Sequence, residues 1–348
     1  MKLLVTGGAG FIGSNFIGYV IDRHPDWLII NLDKLTYAGN LDNLSNVATF
    51  PNYRFVLGDI ADPPFIEQLF ASTGIEAVVN FAAETHVDRS IVDASPFIRT
   101  NVQGTQVLLD AARRHKAVKF IQVSTDEVYG SLDPTDLPFT ETSPLAPNSP
   151  YAASKAAADL LCRAYHRTYG LPVIITRCSN NFGPYQFPEK LIPLAITNTL
   201  EDKPVPVYGD GQNVRDWLYV EDHCRAIEMV LLNGKAGEVY NIGGGCELTN
   251  LELVRLILKK LGKTEDMLSF VRDRPGHDRR YALDSSKIQR ELGWRKNFDF
   301  EEAMRRTIEW YVNNPAWWRR VKSGEYKEFY QRWYGGLSEN SSTFGVKA

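Results

Sequence analysis

The chain has few cysteines, and none of them follows a metal-binding or disulfide pattern. Its 348 residues include four, Cys162, Cys178, Cys224 and Cys246, widely spaced and without a Cys-x-x-Cys pair. Such usage indicates reduced, structural thiols and a cytoplasmic location. The six histidines lack ligand spacing of the His-Glu-x-x-His kind, so no metal centre is expected.

Long apolar runs and an excess of positive charge are also missing. No stretch of about 18 apolar residues occurs, which excludes a predicted membrane-spanning helix. The start, MKLLVTGG, runs directly into a strand pattern, and we expect no signal peptide. A net charge of −3 provides no basic field, so nucleic acid is not an expected partner. With 44% hydrophobic and 23% charged residues, the chain has the composition of a globular protein of one or two domains.

The first half alternates short β-branched runs with longer segments of helical periodicity. The predicted strands are KLLVT, WLIINL, YRFVL, AVVNF, KFIQVS and PVIITR. Segments such as FIGSNFIGYVIDRH, between the strands, have apolar residues at three- and four-residue steps, as amphipathic helices do. This alternation predicts an α/β fold with a doubly wound parallel sheet.

After about residue 180 prolines become more frequent and the alternation loosens. Strand candidates there are VPVYG, EVYNIG and LSFVRD, and helices are predicted near 221–233, 250–261 and 285–292. We therefore expect a dinucleotide-binding domain over 1–180, interleaved with later segments, and a smaller α/β lobe with C-terminal helices over 181–348. For the aromatic stretch WWRRVKSGEYKEFYQRWYGG, packing against the body is favoured over a nucleic-acid stacking surface.

A glycine-rich turn opens the chain. The stretch VTGGAGFIGSN contains Gly7-x-x-Gly10-x-x-Gly13 between a predicted strand and a predicted helix. Gly7 permits a tight turn, Gly10 a close approach to a pyrophosphate, and Gly13 close packing of helix and strand. The helix that begins near Phe11 and Ile12 directs free N–H groups and its positive end at the phosphates. The turn predicts a Rossmann-type dinucleotide site.

An acidic residue closes the second predicted strand, twenty residues after Gly13. Asp33 can accept both adenosine-ribose hydroxyls and would repel a 2′-phosphate, which favours NAD over NADP. Lys34, beside it, could tolerate that phosphate, so NADP stays open. After the third strand, Asp59 is predicted either to meet the adenine amino group or to cap a turn.

A tyrosine and a lysine share one face of a later helix. Ser149 suits an N-cap and Pro150 a first helical turn, which places Tyr151 and Lys155 one turn apart. Tyrosine has a reference pKa near 10 and needs help to act as a base at neutral pH. We expect a nearby ammonium and an oxidised nicotinamide to favour the phenolate, which could then accept a hydroxyl proton during hydride transfer.

These motifs resemble those of the extended short-chain dehydrogenases/reductases, which act on nucleotide-linked sugars with NAD. The string Ser124-Thr125-Asp126-Glu127 is similar to the 4,6-dehydratase branch acting on dTDP-glucose rather than to the epimerase branch. Further similar strings run from about residue 2 to 320: ETHVDRS at 84–90, RCSNNFGPYQ at 177–186, RDW at 215–217, RPGHDR at 274–279 and the helix ending at WW, 317–318.

The resemblance implies oxidation of the sugar at C4, loss of water across C5–C6 and return of hydride to C6, as in deoxysugar (dTDP-rhamnose type) biosynthesis. It implies that Tyr151, tuned by Lys155, is the C4-hydroxyl base, that Thr125 binds the C4 oxygen, and that Glu127 is the C5 base. Asp126 would be the C6 acid and must keep its proton at neutral pH. Adjacent strand residues point in opposite directions, so a shared site for the two carboxyls requires a bend.

The remaining expected site residues also rest on the resemblance. For the cofactor they are Ile60, Ala82, Ala83, Thr100 and Ser124; for the substrate they are Thr85, Asn180, Lys190, Tyr208, Arg215, Asn250, Arg274 and His277. Helices near 96–114 and 151–169 are implied as the bundle of a homodimer. A 4-epimerase or decarboxylase, and a non-catalytic NAD-sensing protein, stay open as alternatives; the carboxyl pair and the intact Tyr151 and Lys155 argue against them.

Overall fold

The computed structural model describes residues 1–323. Its strands are β1 (Lys2–Thr6), β2 (Leu28–Asp33), β3 (Tyr53–Leu57), β4 (Ala77–Asn80), β5 (Lys119–Thr125), β6 (Val173–Cys178), β7 (Asn180–Phe182), β8 (Val205–Tyr208), β9 (Val214–Tyr219), β10 (Val239–Ile242), β11 (Glu247–Thr249) and β12 (Leu268–Val271). Its helices are α1 (Phe11–Ile21), α2 (Pro63–Thr73), α3 (Val87–Val92), α4 (Ser95–Phe97), α5 (Thr105–Arg114), α6 (Pro150–Tyr169), α7 (Leu191–Leu200), α8 (Val220–Asn233), α9 (Asn250–Lys260), α10 (Ser286–Leu292), α11 (Phe300–Asn313) and α12 (Pro315–Val321). A π-helical segment, Ile98–Gly104, joins α4 to α5, and Asp126–Tyr129 forms a 3₁₀ turn.

Seven parallel strands form the central sheet in the order β10-β6-β5-β4-β1-β2-β3. The chain winds outward from β1 in both directions, so the order reverses between β1 and β4. The neighbouring carboxyl ends there are Thr6 and Asn80, which pair in register. Ligands of doubly wound sheets bind in the crevice at such a reversal.

Both faces of this sheet are covered by apolar helix surfaces. On one face Phe16 and Ile17 of α1 share a buried cluster with Ile227 and Val230 of α8. On the other face α2, α5 and α6 form a second cluster around the fully buried Phe70. Because both faces are buried, the strands are short continuous apolar runs without alternation.

A second, smaller unit consists of mixed sheet and helices. Strands β11, β9 and β7 form a three-stranded sheet, and β12 pairs in parallel with β8. Helices α7, α9, α11 and α12 pack around them in a separate core that contains the buried Tyr311, Trp317 and Trp318. The ring of Tyr185 packs against those of Trp310 and Trp317, with centroids 4.8 and 6.0 Å apart.

The fold class and all six strands predicted for the first half are confirmed. The candidate EVYNIG contributes β10 to the central sheet, and the helix predicted near 221–233 packs on α1, so later segments do interleave with the first half. Helix α7 was not predicted from the sequence. The division at residue 180 stays a prediction, and the expected packing of the aromatic stretch beyond residue 323 lies outside the described residues. Within residues 1–323 no helix is long and apolar enough to cross a membrane.

Candidate active site

A cleft of about 1510 Å³ runs along the carboxyl ends of the central strands. It brings together most of the sequence-predicted residues: Gly7, Gly10, Phe11, Ile12, Gly13, Asp33, Lys34, Ile60, Ala82, Ala83, Thr85, Thr100, Ser124, Thr125, Asp126, Glu127, Tyr151, Lys155, Asn180 and Lys190. The predicted cofactor and catalytic residues, Asp59 excepted, therefore share one continuous cavity at the place where the strand order reverses.

The glycine turn leaves no space for side chains. Gly7 has a φ of +68°, and a Cβ atom there would lie 2.7 Å from the backbone N and Cα of Ala82. A Cβ atom on Gly13 would lie 2.4 Å from the Gly7 carbonyl oxygen. Gly10 is the N-cap of α1 and supplies no capping side chain. The first N–H groups of α1 therefore border the cleft, an arrangement suited to binding a pyrophosphate.

Asp33 ends β2 beside this turn. Its Oδ2 accepts a hydrogen bond from the Ala9 N–H at 3.0 Å, and its Oδ1 accepts one from the Leu35 N–H at 2.8 Å. Burial raises the pKa of Asp33, and these backbone donors act in the opposite direction. The carboxylate is thus held rigidly at the edge of the cleft.

Lys34 and Asp59 are engaged by protein groups. Lys34 Nζ donates to Thr100 Oγ1 at 3.1 Å and lies 3.9 Å from a Glu84 carboxylate oxygen. The Asp59 carboxylate accepts from an N–H two residues on and pairs with Arg99 at 3.0 Å. These are the contacts of a turn-capping residue, and an adenine contact for Asp59 stays a prediction.

Helix α6 presents the tyrosine and the lysine as expected. The Ser149 hydroxyl accepts a hydrogen bond from an N–H in the first turn, and Pro150 occupies that turn. Tyr151 and Lys155 are 7% and 4% exposed, and Lys155 Nζ donates to the Val123 carbonyl of β5 at 2.7 Å. The helix is thereby fixed against the strand that carries Ser124 and Thr125.

The protein's own charges do not favour the phenolate. Burial, followed by the Glu127 carboxylate, raises the pKa of Tyr151 well above its usual value. Burial lowers the pKa of Lys155, with Asp159 opposing this shift. In the protein alone, desolvation therefore favours the neutral phenol, and the expected shift towards the phenolate by the Lys155 ammonium and an oxidised nicotinamide together stays a prediction.

The bend that the two carboxyls require is the turn Asp126–Tyr129. Thr125 Oγ1, at its N-cap, accepts from the Glu127 N–H at 3.3 Å and donates to Asp126 Oδ1 at 3.2 Å. Asp126 is 2% exposed, and its Oδ2 has no hydrogen-bond partner among the described residues. A buried oxygen without a partner beside a cleft is available to a ligand.

Different surroundings give the two carboxyls different ionisation. Burial, Glu127 and Asp216 raise the pKa of Asp126 well above its usual value. Burial also raises the pKa of Glu127, but the cations Arg274 and Lys190 oppose the shift. Both pKa values are thus raised, but that of Asp126 is raised further and the cations hold back the rise at Glu127, which is the order required of a general acid and a general base.

A second cleft, about 950 Å³, meets the first at Glu127, Asn180 and Lys190. It is lined by the other residues expected to bind substrate, namely Tyr208, Arg215, Asn250, Arg274 and His277. A ligand can therefore extend from the carboxyl pair into the second lobe.

Two arginines, Arg215 buried and Arg274 partly buried, border this second cleft. Arg215 donates to the Asp278 carbonyl at 3.0 Å, and its guanidinium lies 4.4 Å from the centre of the Tyr281 ring. Arg274 donates to Asp88 Oδ1 at 2.7 Å. Fixed guanidinium groups of this kind suit the oxygens of a diphosphate.

Polar side chains complete the second cleft. Lys190 Nζ donates to the Thr85 carbonyl at 2.9 Å. His277 Nδ1 lies 2.6 Å from Asp273 Oδ1, and burial lowers the pKa of this imidazole. The amide oxygens of Asn180 and Asn250 have no hydrogen-bond partner among the described residues.

Within residues 1–323 no three His, Cys, Asp or Glu side chains are grouped as metal ligands.

Sequence reasoning missed several groups that line the second cleft. Asp88 holds Arg274, and Tyr281 packs against Arg215, yet neither was assigned a role. Glu189 Oε1 accepts from the Tyr37 hydroxyl at 3.1 Å, and burial raises the pKa of Glu189 to about 7. Asp88 stands in the string ETHVDRS, where a carboxylate in a motif was a usable signal; nothing local marks Glu189 or Tyr281.

Comparison with known proteins agrees with this geometry. The family model described as GDP-mannose 4,6 dehydratase matches residues 4–307. The dTDP-glucose 4,6-dehydratase of Streptomyces niveus is 56% identical over 327 residues, covering 93% of this chain and 96% of that protein. The dTDP-glucose 4,6-dehydratase 1 of Escherichia coli strain K12 is 50% identical, with coverage of 97% and 99%.

A solved structure extends the likeness to three dimensions. The dTDP-glucose 4,6-dehydratase of Streptomyces venezuelae, crystallised with NAD and dTDP, is 55% identical and superposes with a TM-score of 0.90. The match covers 92% of this chain and 100% of that one. With its glycine turn, its Tyr151–Lys155 pair and its two adjacent carboxyls in the cleft, the chain belongs to the dTDP-glucose 4,6-dehydratase family of extended short-chain dehydrogenases/reductases.

Proposed function

We propose that this protein is an NAD-dependent hydro-lyase that converts dTDP-D-glucose to dTDP-4-keto-6-deoxy-D-glucose and water. The observation that carries the proposal is the turn Asp126–Tyr129, which brings two carboxyls of different ionisation into the cleft that holds Tyr151 and Lys155. An epimerase needs only the oxidation machinery, whereas elimination of water needs an acid and a base in addition.

The glycine turn and Asp33 fit a dinucleotide. Gly7, Gly10 and Gly13 let a pyrophosphate approach the N-terminus of α1, and Asp33 accepts the ribose hydroxyls. Ala82, Ala83, Ile60, Thr100 and Ser124 form the remaining wall. Lys34 is hydrogen-bonded to Thr100, which supports NAD over a 2′-phosphorylated cofactor. When bound, NAD supplies a hydride acceptor for C4 and a hydride donor for C6.

In the oxidation step, Tyr151 accepts the proton of the C4 hydroxyl as the C4–H bond breaks and the hydride leaves. The Thr125 hydroxyl, on release from Asp126 Oδ1, donates a hydrogen bond to the C4 oxygen as it becomes a carbonyl. Lys155 stabilises the phenolate form in which Tyr151 accepts the proton. Because the protein alone keeps Tyr151 protonated, the positive charge of the oxidised cofactor completes its activation.

In the elimination step, the new C4 carbonyl acidifies the C5 proton. Glu127 removes that proton, and the C6–O bond breaks as Asp126 protonates the departing hydroxyl, which leaves as water. The double bond then accepts hydride at C6 and a proton at C5, returned by Glu127. The sugar thus loses one water, and the bound cofactor would end the cycle in its oxidised state. Tyr151 has gained the proton of the C4 hydroxyl and Asp126 has given one to the departing water, so the transfer of one proton from Tyr151 to Asp126, through solvent, restores both residues.

The second cleft holds the nucleotide diphosphate. Arg215 and Arg274 meet phosphate oxygens, and Tyr208 stacks on the base or ribose. Asn180, Lys190, Asn250, His277 and Thr85 provide further polar contacts along the cleft. The product belongs to deoxysugar biosynthesis of the dTDP-rhamnose type.

The protein is also proposed to be a cytoplasmic homodimer. Ile98 and Leu160, on the two helices implied for the bundle, are 53% and 56% exposed, so these packed helices keep apolar surface for a second copy. Three of the four free cysteines are buried as thiols, which suits a reducing compartment.

The deciding experiment incubates the holoenzyme with dTDP-glucose and follows the alkali-induced absorbance of the 4-keto product. We expect keto product from the wild type, and from Asp126→Asn a loss of turnover on the order of 10²-fold or more, with C4 oxidation retained. Formation of the C4 epimer without keto product would overturn the assignment. Full turnover by Asp126→Asn would remove Asp126 as the acid.

A further inference from the structure

Arg177 is a buried cation that the chemistry above does not use. It lies on β6 opposite Ser124 of β5 and is 5% exposed. Its Nε donates to Asp159 Oδ2 at 2.9 Å, and its Nη1 donates to the Tyr129 hydroxyl at 2.8 Å. A guanidinium has donors fixed in one plane, so these two bonds set a definite distance between its partners.

The two partners belong to different parts of the proposed machinery. Asp159 follows Lys155 by four residues on α6, so both lie on one face of the helix that also carries Tyr151. Tyr129 is the last residue of the turn Asp126–Tyr129, which carries both carboxyls. One side chain therefore bonds directly to the oxidation helix and to the elimination turn.

The contacts around Tyr129 fix the far side of the turn. Its hydroxyl donates to Asn241 Oδ1 at 2.8 Å, and Asn241 Nδ2 donates to the Phe139 carbonyl at 3.0 Å. The rings of Tyr129 and Phe139 are stacked with centroids 4.9 Å apart. Tyr129 cannot swing away from Arg177 without losing this packing as well.

We propose that Arg177 is a positioning residue that holds the carboxyl-bearing turn in register with the helix carrying Tyr151 and Lys155, so that both sets act on one sugar. The proposal rests on the proposed function, in which a sugar is oxidised at C4 and dehydrated at C5–C6 within one cleft. Reacting groups must be held within about 0.5 Å of productive geometry, and a misplacement of about 1 Å can slow a step on the order of 10²-fold.

Removal of Arg177 would take away the ion-pair partner of the buried Asp159, and breaking a buried pair destabilises the whole fold. The test therefore uses Tyr129→Phe, which removes one hydroxyl, and Asp159→Asn, which changes the other contact. Tyr240→Phe is the matched control, because Tyr240 on the neighbouring β10 is buried and its hydroxyl bonds to Glu291, outside the site.

Single-turnover kinetics with holoenzyme and dTDP-glucose separate the two steps. In Tyr129→Phe we expect C4 oxidation, read from nicotinamide absorbance, at the wild-type rate and keto-product formation slowed about tenfold or more. In Asp159→Asn we expect C4 oxidation itself to slow. The proposal would be overturned if both steps kept their wild-type rates in Tyr129→Phe. It would also be overturned if both variants slowed both steps by the same factor.

Hydrogen–deuterium exchange provides a readout that needs no turnover. We expect faster exchange of peptide 124–130 in Tyr129→Phe, with peptide 150–160 unchanged, and wild-type exchange of both peptides in Tyr240→Phe. Unchanged exchange of 124–130 would count against Arg177 as the residue that holds the turn. A wild-type enzyme that forms no keto product would sink the proposed function, while exchange would still decide the proposal for Arg177.

Discussion

Asp88 and Arg274, 186 residues apart in sequence, form a partly buried ion pair with 2.7 Å between Oδ1 and Nη1. The other carboxylate oxygen of Asp88 accepts from the Tyr208 hydroxyl at 2.9 Å. Asp88 lies on α3 and lines the second cleft together with both partners. Arg274 is also the cation that most strongly opposes the raised pKa of Glu127. The pair thus connects the nucleotide site to the proposed C5 base.

Asp88→Asn should weaken substrate binding, because Arg274 and Tyr208 lose the charge that orients them. We expect a higher KM, a smaller change in kcat, and a free energy of unfolding lower by about 1–3 kcal/mol. Steady-state kinetics and urea denaturation measure these effects. Arg279→Gln, which breaks an exposed pair with Asp210, is the control and should change neither parameter appreciably. An unchanged KM in Asp88→Asn would contradict an orienting role.

The titration of Glu189 should lower the free energy of unfolding as the pH rises from about 4.5 to about 7. Burial raises its pKa from 4.5 to about 7, and Lys190, Arg89 and a hydrogen bond from Tyr37 only partly offset this. The folded protein therefore binds this proton more tightly than the unfolded chain does. Its contribution to the free energy of unfolding is complete below about pH 4.5 and is lost as the pH rises to about 7.

The Glu189→Gln variant cannot lose this proton. Its free energy of unfolding relative to wild type should therefore rise by about 2–3 kcal/mol between about pH 5 and about pH 8. Urea denaturation at the two pH values measures it. Glu302→Gln is the control: Glu302 lies at the surface, and hydrogen bonds from Arg305 and Arg306 lower its pKa to about 2, so its titration lies below this window. A constant difference for Glu189→Gln would show that this carboxyl is ionised throughout.

Asp33→Asn should change cofactor preference. The amide cannot repel a 2′-phosphate, and it replaces one of the oxygens that accept from Ala9 and Leu35. We expect NAD affinity to fall about tenfold and the ratio of NADP to NAD affinity to rise by a similar factor. Calorimetric titration of cofactor-depleted protein measures both constants. Asp26→Asn, at an exposed turn before β2, serves as control. An unaltered ratio would remove Asp33 as the selective group.

Leu160→Glu should separate the proposed dimer. The side chain is 56% exposed on α6, and a carboxylate in a packed apolar interface would be desolvated without a partner. Light scattering coupled to gel filtration should report a dimer for wild type and a monomer for the variant. Leu137→Glu, at an 85% exposed position outside the two helices, should leave the mass unchanged. A dimeric Leu160→Glu protein would exclude this face as the interface.

Local patterns were sufficient wherever a local rule determines the structure. The glycine spacing predicted the turn before α1 because position 7 combines a φ of +68° with close contact to the Ala82 backbone. Only glycine tolerates both. Ser149 and Pro150 predicted the start of α6 because caps act within one turn. The need for a bend at Asp126 followed from strand geometry, and the 3₁₀ turn supplies it.

Contacts between segments that are distant in sequence could not be predicted from local patterns. Nothing near Asp88 in sequence specifies that Arg274 will neutralise it, and EVYNIG carries no mark of the sheet it joins. The pKa of Tyr151 in the protein alone is dominated by burial, which depends on the whole fold and not on the spacing of the tyrosine and the lysine. Tertiary packing determines these features, and the hydrophobic periodicity of a single segment carries no information about which distant segment it will contact.

The π-helical segment Ile98–Gly104 gives the cleft wall a particular sensitivity to changes in chain length. It contains Thr100, which binds Lys34, and Asn101, whose side chain bonds to the backbone N–H and carbonyl of Glu84. A π turn accommodates one residue more than an α turn, so deleting a single residue here would restore regular winding without rotating α5 against α4. Only the residues within the segment would shift around the helix axis, by up to about 100°. A deletion before Thr100 would therefore turn Thr100 away from Lys34 and Asn101 away from Glu84, while the flanking helices and the composition of the chain stay almost unchanged.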